Sequence, residues 1–167
     1  MGPQGPQGDL GLPGATADLH VYSAELPFDG DIQLGLFANN ILSVQLPAGA
    51  YQASANVAIV NRGDPVAGSA YRVDVWFTVL GTGGASRIAG PRAVQARVLP
   101  GMATSVSLGP VFAQVDSDTT LQLVAQRDSL PPGAQIWVTE GTDLMNRAGS
   151  TGLLVWGGTA AFPAPPI

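Results

Sequence analysis

From Asp18 onward the chain is a succession of short runs in which apolar and polar side chains alternate, each cut off by glycine or proline. In "YQASANVAIVN" (51–61), Tyr51, Ala53, Ala55, Val57 and Ile59 fall on one side, and Gln52, Ser54 and Asn56 on the other. In "YRVDVWFTVLG" (71–81), Val73, Val75, Phe77 and Val79 share a face. A period of two belongs to a half-buried strand, whereas a helix needs apolar residues every 3–4 positions, and no stretch supplies them. Further strands are expected over 19–26, 41–47, 119–127, 135–141 and 151–158, with two more around Pro100-Gly101 within 93–109. About eight short strands with Gly/Pro turns and no amphipathic helix predict an all-β fold, a jelly-roll β-sandwich of about 8–10 strands.

Before that pattern lies a different one. Gly2, Gly5, Gly8, Gly11 and Gly14 recur every third residue, with proline between them. Three polyproline-II chains can meet at a common axis only where glycine stands at every third place, so this frame is expected to be that of a collagen triple helix; the alternative is a disordered Pro/Gly tail. At about 3.1 Å per residue the segment reaches roughly 40 Å. So few triplets are marginal alone, which implies either a longer stalk or a neighbouring element that holds three chains together. The expected organisation is a collagen-like segment over 1–17, a sandwich over 18–160, and a Pro-rich tail over 161–167.

Composition narrows the function. Only 11% of the 167 residues are charged while 46% are hydrophobic, and the mean hydropathy is +0.23. Such a surface is expected to be partly buried in an oligomer. The net charge of −5 and the absence of lysine leave no basic patch for phosphate contacts, so nucleic acid is not an expected partner. There is no cysteine for a disulfide framework or a thiolate metal site. No apolar run approaches the roughly 20 residues of a membrane span, so no membrane insertion is expected. The first residues carry no secretion signal.

A glycine-triplet stub followed by an all-β chain resembles the collagen-like proteins with a tumour-necrosis-factor or complement-one-q-type head. The local match is "ILSVQLPAGAYQASANVAIVN" (41–61), where Pro47, Gly49 and Tyr51 fill that family's P-x-G-x-Y between an apolar strand and an alternating one. The closing "GLLVWGG" is similar to its last strand. The resemblance implies a jelly roll of about ten strands that forms a tight homotrimer. Head trimerisation would then bring three stubs together and lower the association cost of the stalk. Trp76, on the face opposite Val75 and Phe77, and the Ala- and Val-rich strand faces are candidates for the trimer contact. The alternative is that Trp76 packs within one subunit.

Groups with chemistry are few. His20 is the one histidine, Glu25 and Glu140 the two glutamates, and no Gly-x-Ser-x-Gly elbow, phosphate loop or dinucleotide fingerprint is present. An enzyme is not expected, and no cofactor is required. Two acidic pairs, Asp29/Asp31 and Asp116/Asp118, have the oxygen chemistry calcium takes, although aspartate in such places also caps turns. Arg62-Gly63-Asp64 reproduces an integrin-attachment tripeptide in a loop between two strong strands, a place where Gly-Asp also serves a tight turn. Trp137 and Trp156 could stack on a sugar ring, as in jelly-roll lectins, or pack in the core.

The expectation is therefore a non-enzymatic structural or binding protein: a homotrimeric head that nucleates a collagen-like stalk and shows loops to a protein or carbohydrate receptor. It would be extracellular, on a cell surface filament, or on a phage fibre or virion. A lectin-like binder is the alternative, and a carbohydrate-active enzyme with paired carboxylates a more distant one.

Overall fold

A computed structural model describes residues 20–64, 66, 68, 70–81, 86–89, 93–128, 135–140 and 151–158. The collagen-frame glycines Gly2, Gly5, Gly8, Gly11 and Gly14 and the Pro-rich tail lie outside the described residues. Eleven strands follow in chain order: β1 (His20–Glu25), β2 (Ile32–Gln33), β3 (Asn39–Leu46), β4 (Gly49–Asn61), β5 (Tyr71–Gly81), β6 (Ser86–Ala89), β7 (Val94–Val98), β8 (Ala103–Val115), β9 (Thr119–Arg127), β10 (Ile136–Thr139) and β11 (Gly152–Gly158). All pairings are antiparallel, and among the described residues there is no helix.

They form a two-sheet sandwich. The large sheet runs β1-β11-β4-β8-β6, with β10 and β2 continuing it beside the upper half of β4. The small sheet runs β3-β9-β5-β7. The expected alternation sets the core: Tyr51, Ala53, Val57 and Ile59 on β4 face Val73, Val75, Leu121 and Leu123 of the small sheet, all at 0–1% exposure. At about 25 cal/mol per Å², each such side chain contributes roughly 1.5–3 kcal/mol, which is why register follows the apolar face.

Two irregularities in the large sheet escape a reading by period. The run "SLGP" looks like the end of a strand, yet β8 passes straight through Gly109-Pro110. Opposite Ala53 and Ala55 stand Val111 and Leu108, so β8 carries one extra residue there. A bulge is where a strand tolerates proline. The second irregularity is a spliced strand. β10 pairs with residues 58–61 of β4 and β11 with residues 50–56, along the same edge. Thr151, at 0% exposure, joins them: its hydroxyl accepts from Ala58 N–H (2.9 Å) and donates to Thr139 O (2.6 Å). Its backbone accepts from Leu26 N–H and donates to Glu140 O.

The motif "P-x-G-x-Y" has a local cause. Tyr51 Oη donates to Pro47 O at 2.8 Å, closing the turn into β4. A Cβ on Gly49 would lie 2.8 Å from Gly158 O, so β4 and the end of β11 meet backbone to backbone. Gly157, with φ +152°, allows the same approach: a Cβ there would lie 2.2 Å from Ala50 O. Burial, and then Tyr22 packed edge-on at 6.0 Å, push the Tyr51 phenol up to about 12.

Candidate functional site: the two outer faces

His20 pairs with Gly157, and Gly49 with Val115, so the chain enters β1 and leaves β11 at the same end of the sandwich. Call this the entry end. The opposite, distal end carries the loops after Gln33, Asn61, Val98 and Arg127.

The outer face of the small sheet is polar. Arg72, Asp74 and Thr78 on β5 stand beside Gln95 and Arg97 on β7 and Gln122 and Gln126 on β9. Arg72 Nε lies 3.8 Å from Asp128 and 4.0 Å from Asp74. Trp76, a candidate contact residue, does point outward here, opposite Val75 and Phe77; its cross-strand partner is Val124.

The outer face of the large sheet is different. Cross-strand rows place Val21 beside Trp156, Gln52 and Phe112, and Ser23 beside Leu154 and Ser54. Val21 is 66% exposed, Leu154 44% and Phe112 38%. Ser23, Gln52, Ser54, Leu154 and Trp156 of these rows line an open trough of about 640 Å³ that extends to Glu25, Asn56, Ser107 and Pro110. Ser105 and Ser107 hydroxyls both donate to Asn56 Oδ1, at 2.7 and 3.3 Å. Among the described residues, Glu25 is the only ionisable one lining it. Sequence reasoning named Trp156 here but missed Leu154 and Phe112. A signal was present, because "LLVW" is apolar at every position rather than alternating, the mark of a strand covered on both faces.

The remaining candidates sit apart from the trough. The Arg62 guanidinium ion-pairs with Asp31 at 2.5 Å and lies 5.0 Å over the Trp137 ring, so the tripeptide arginine and one sugar-stacking candidate engage each other. Asp64 holds its own loop, its carboxylate accepting from Val66 N–H and its carbonyl from Gly68 N–H. Asp29 has a positive φ of 60° in the turn after β1, while its neighbour Asp31 serves Arg62. Asp116 and Asp118 lie between β8 and β9. Among the described residues no group of three metal-ligating side chains converges. His20 is exposed at the start of β1, its ring 6.3 Å from Tyr22. Glu25 stands at the trough, and Glu140 follows β10, its carbonyl taken by Thr151 N–H.

No protein-family model matches the chain, and no curated protein does. Two solved structures of infectious bursal disease virus share the general arrangement, one of the Gx strain (TM-score 0.44) and one of the Gt strain (TM-score 0.42). Each is 12% identical over 93% of this chain. The match covers 42% and 43% of those chains, so this chain spans about two-fifths of their length.

Proposed function

We propose that this chain is a non-enzymatic structural protein: a homotrimeric jelly-roll head that holds three collagen-like segments together and presents its distal loops for attachment, on a virion or a cell surface. The carrying observation is the glycine frame Gly2–Gly14 in the sequence ahead of β1, which begins at the entry end of the sandwich. Three triplet segments extending from one end of three heads make a rod with heads at its tip. The winding supports the reading. With β1, β3, β4, β5, β7, β8, β9 and β11 numbered one to eight, the sheets read 1-8-3-6 and 2-7-4-5, the order of a jelly roll wound from two Greek keys.

Sedimentation equilibrium and native mass spectrometry of the full chain at micromolar concentration test this. A trimer is expected, and a monomer would sink the reading. Gly8→Ala is expected to lower triple-helix ellipticity while leaving the head trimer intact, because the head holds the chains. Dissociation by Gly8→Ala would reverse that dependence.

A further inference from the structure

The trough on the large sheet is a surface apart from the distal loops, and its lining restricts what it can hold. We infer that it binds a neutral oligosaccharide, with one sugar ring on Trp156 and the hydroxyls of the next rings reaching Glu25, Asn56 and Ser107. The inference goes beyond the trimer reading and stands without it.

The hollow has a cause in the strands. The outward residues of β11 shrink along its length, from Trp156 to Leu154 to Gly152. Gly152 sits between Glu25 of β1 and Asn56 of β4, so the middle of that row is bare backbone. On the other side of β4, the bulge at Gly109-Pro110 breaks the register opposite Ser54. The surface therefore steps down from an indole to bare backbone over four residues, roughly 13 Å. That length takes more than one sugar ring. The volume of about 640 Å³ falls within the roughly 300–1,000 Å³ of small-ligand sites.

Gly152 is the key position. Gly109 and Gly157 have positive φ, and a Cβ on either would strike backbone. Gly152 differs from both. Its φ lies outside the left-handed region, and a Cβ there would meet Ala24 O and Glu25 Cγ only at 3.8 Å. A glycine inside a strand costs stability, so packing alone favours a β-branched residue at this place. With neither strain nor packing asking for glycine, the use left for bare backbone is close approach by a group from outside the chain.

The chemistry of the lining selects the group. β11 and β4 are laddered on both sides, to β1, to each other and to β8, so no edge is open for an added peptide strand and recognition falls to side chains. Those side chains include the Trp156 indole, the Gln52 and Asn56 amides, serine hydroxyls and the Glu25 carboxylate. Among the described residues no cation lines the trough, so a phosphate, sulfate or carboxylate ligand finds no counter-charge and meets Glu25 instead. A purely apolar ligand would cover the hydroxyls and amides without replacing their hydrogen bonds. A neutral sugar satisfies both halves: its C–H face lies on an aromatic ring, and its hydroxyls exchange hydrogen bonds with amide, hydroxyl and carboxylate. Asn56 is held ready, because the Ser105 and Ser107 hydroxyls fix its Oδ1. The two tryptophans expected to stack on sugar also separate here: Trp137 lies under the Arg62 guanidinium, whereas Trp156 stands at the trough.

The test titrates the full chain with cellotetraose, maltotetraose, mannotetraose and tetra-N-acetylchitotetraose by isothermal calorimetry, with tetragalacturonate as the acidic control. At least one neutral tetrasaccharide is expected to bind, and tetragalacturonate is not. Trp156→Ala is expected to weaken that binding roughly 30-fold or more, the scale of truncating an aromatic anchor. Gly152→Val is expected to abolish it while the circular dichroism spectrum is kept and the urea midpoint holds or rises. Glu25→Gln is expected to weaken it roughly 5-fold, the difference between a charged and a neutral acceptor. Trp76→Ala, on the other sheet, is expected to leave it unchanged. A folded wild type that binds no neutral tetrasaccharide at millimolar ligand would overturn the inference, as would binding that survives both Trp156→Ala and Gly152→Val, or a preference for tetragalacturonate. Native mass spectrometry of the same samples keeps the two readings apart. A trimer that binds no sugar, as when a second copy covers the trough, overturns this inference alone, and a monomer that binds sugar overturns the trimer reading alone.

Discussion

The two sheets of this sandwich solve the same packing problem in different ways. The small sheet is the more regular: four strands with one bulge at Ile41, apolar inside, and outside mostly amide, hydroxyl and charged side chains with Trp76 and Leu80 among them. The large sheet departs further. One of its strands is spliced at Thr151, another is bulged at Gly109-Pro110, a third meets a glycine pair too closely for any Cβ, and its outer face exposes Val21, Leu154 and Phe112 among serine and amide side chains. Regular strands need only a pattern, so substitutions on their wet side have little to break. An irregular sheet depends on individual atoms, so single substitutions there have more to break.

That contrast can be broken or sharpened by single substitutions. The largest effect is expected from Gly157→Ala. A methyl 2.2 Å from Ala50 O, at a φ of +152°, must push β11 off β4, so a loss of about 3 kcal/mol is expected in urea melts. On the small sheet, Thr78→Ala and Gln122→Ala are expected to stay within about 0.5 kcal/mol. Equal costs would erase the distinction.

Alkaline unfolding comes next. The buried Tyr51 phenol has a pKa of about 12 against about 10 in the unfolded chain, so the unfolded state releases its proton first as pH rises. Its contribution is complete below pH 10 and is lost between about pH 10 and 12, amounting to roughly 2–3 kcal/mol. Tyr51→Phe is expected to flatten that part of the stability curve; an unchanged curve would place the loss elsewhere.

Thr151→Val is expected to cost about 2 kcal/mol, because it removes the hydroxyl partner of Ala58 N–H and Thr139 O inside a buried splice. Thr151→Ser, which keeps the hydroxyl, is expected to recover most of it. A neutral Thr151→Val would mean that the two half-strands hold without their joint.

The smallest effect belongs to the small sheet and has the opposite sign. Arg127 is 7% exposed, and its Nε and Nη1 have no partner among the described residues. An unpaired buried cation destabilises, so Arg127→Met is expected to be neutral or to raise stability by about 1 kcal/mol. A loss above about 2 kcal/mol would show that a carboxylate outside the described residues holds the guanidinium.

Much of the sandwich was legible in the chain. Period two located β4, β5 and β9 almost to the residue, since an alternating run has one stable place, half in a core. The runs at 19–26, 41–47, 135–141 and 151–158 proved to be strands within a residue or two at either end. What the pattern missed were short or broken elements. Two-residue β2 and four-residue β6 are too brief to show a period, and β8 hides its length behind a proline that only a bulge admits. Trp76 was legible as an outward aromatic, but not as the cross-strand neighbour of Val124, because β5 and β9 lie far apart in the chain. Trp156, Glu25 and Asn56 lie on three separate segments, and nothing in a linear reading relates them.

The sequence by itself determined the class of structure. Alternation decides which side chains avoid water, because the two faces of a strand follow from local geometry of the backbone. Tertiary structure alone decided the register and the neighbours. It joined two half-strands through one threonine, turned the charged side of one sheet to solvent, and brought Trp156 and Leu154 to an open trough on the other. Those outcomes depend on contacts between residues far apart in the chain, so no local pattern encodes them.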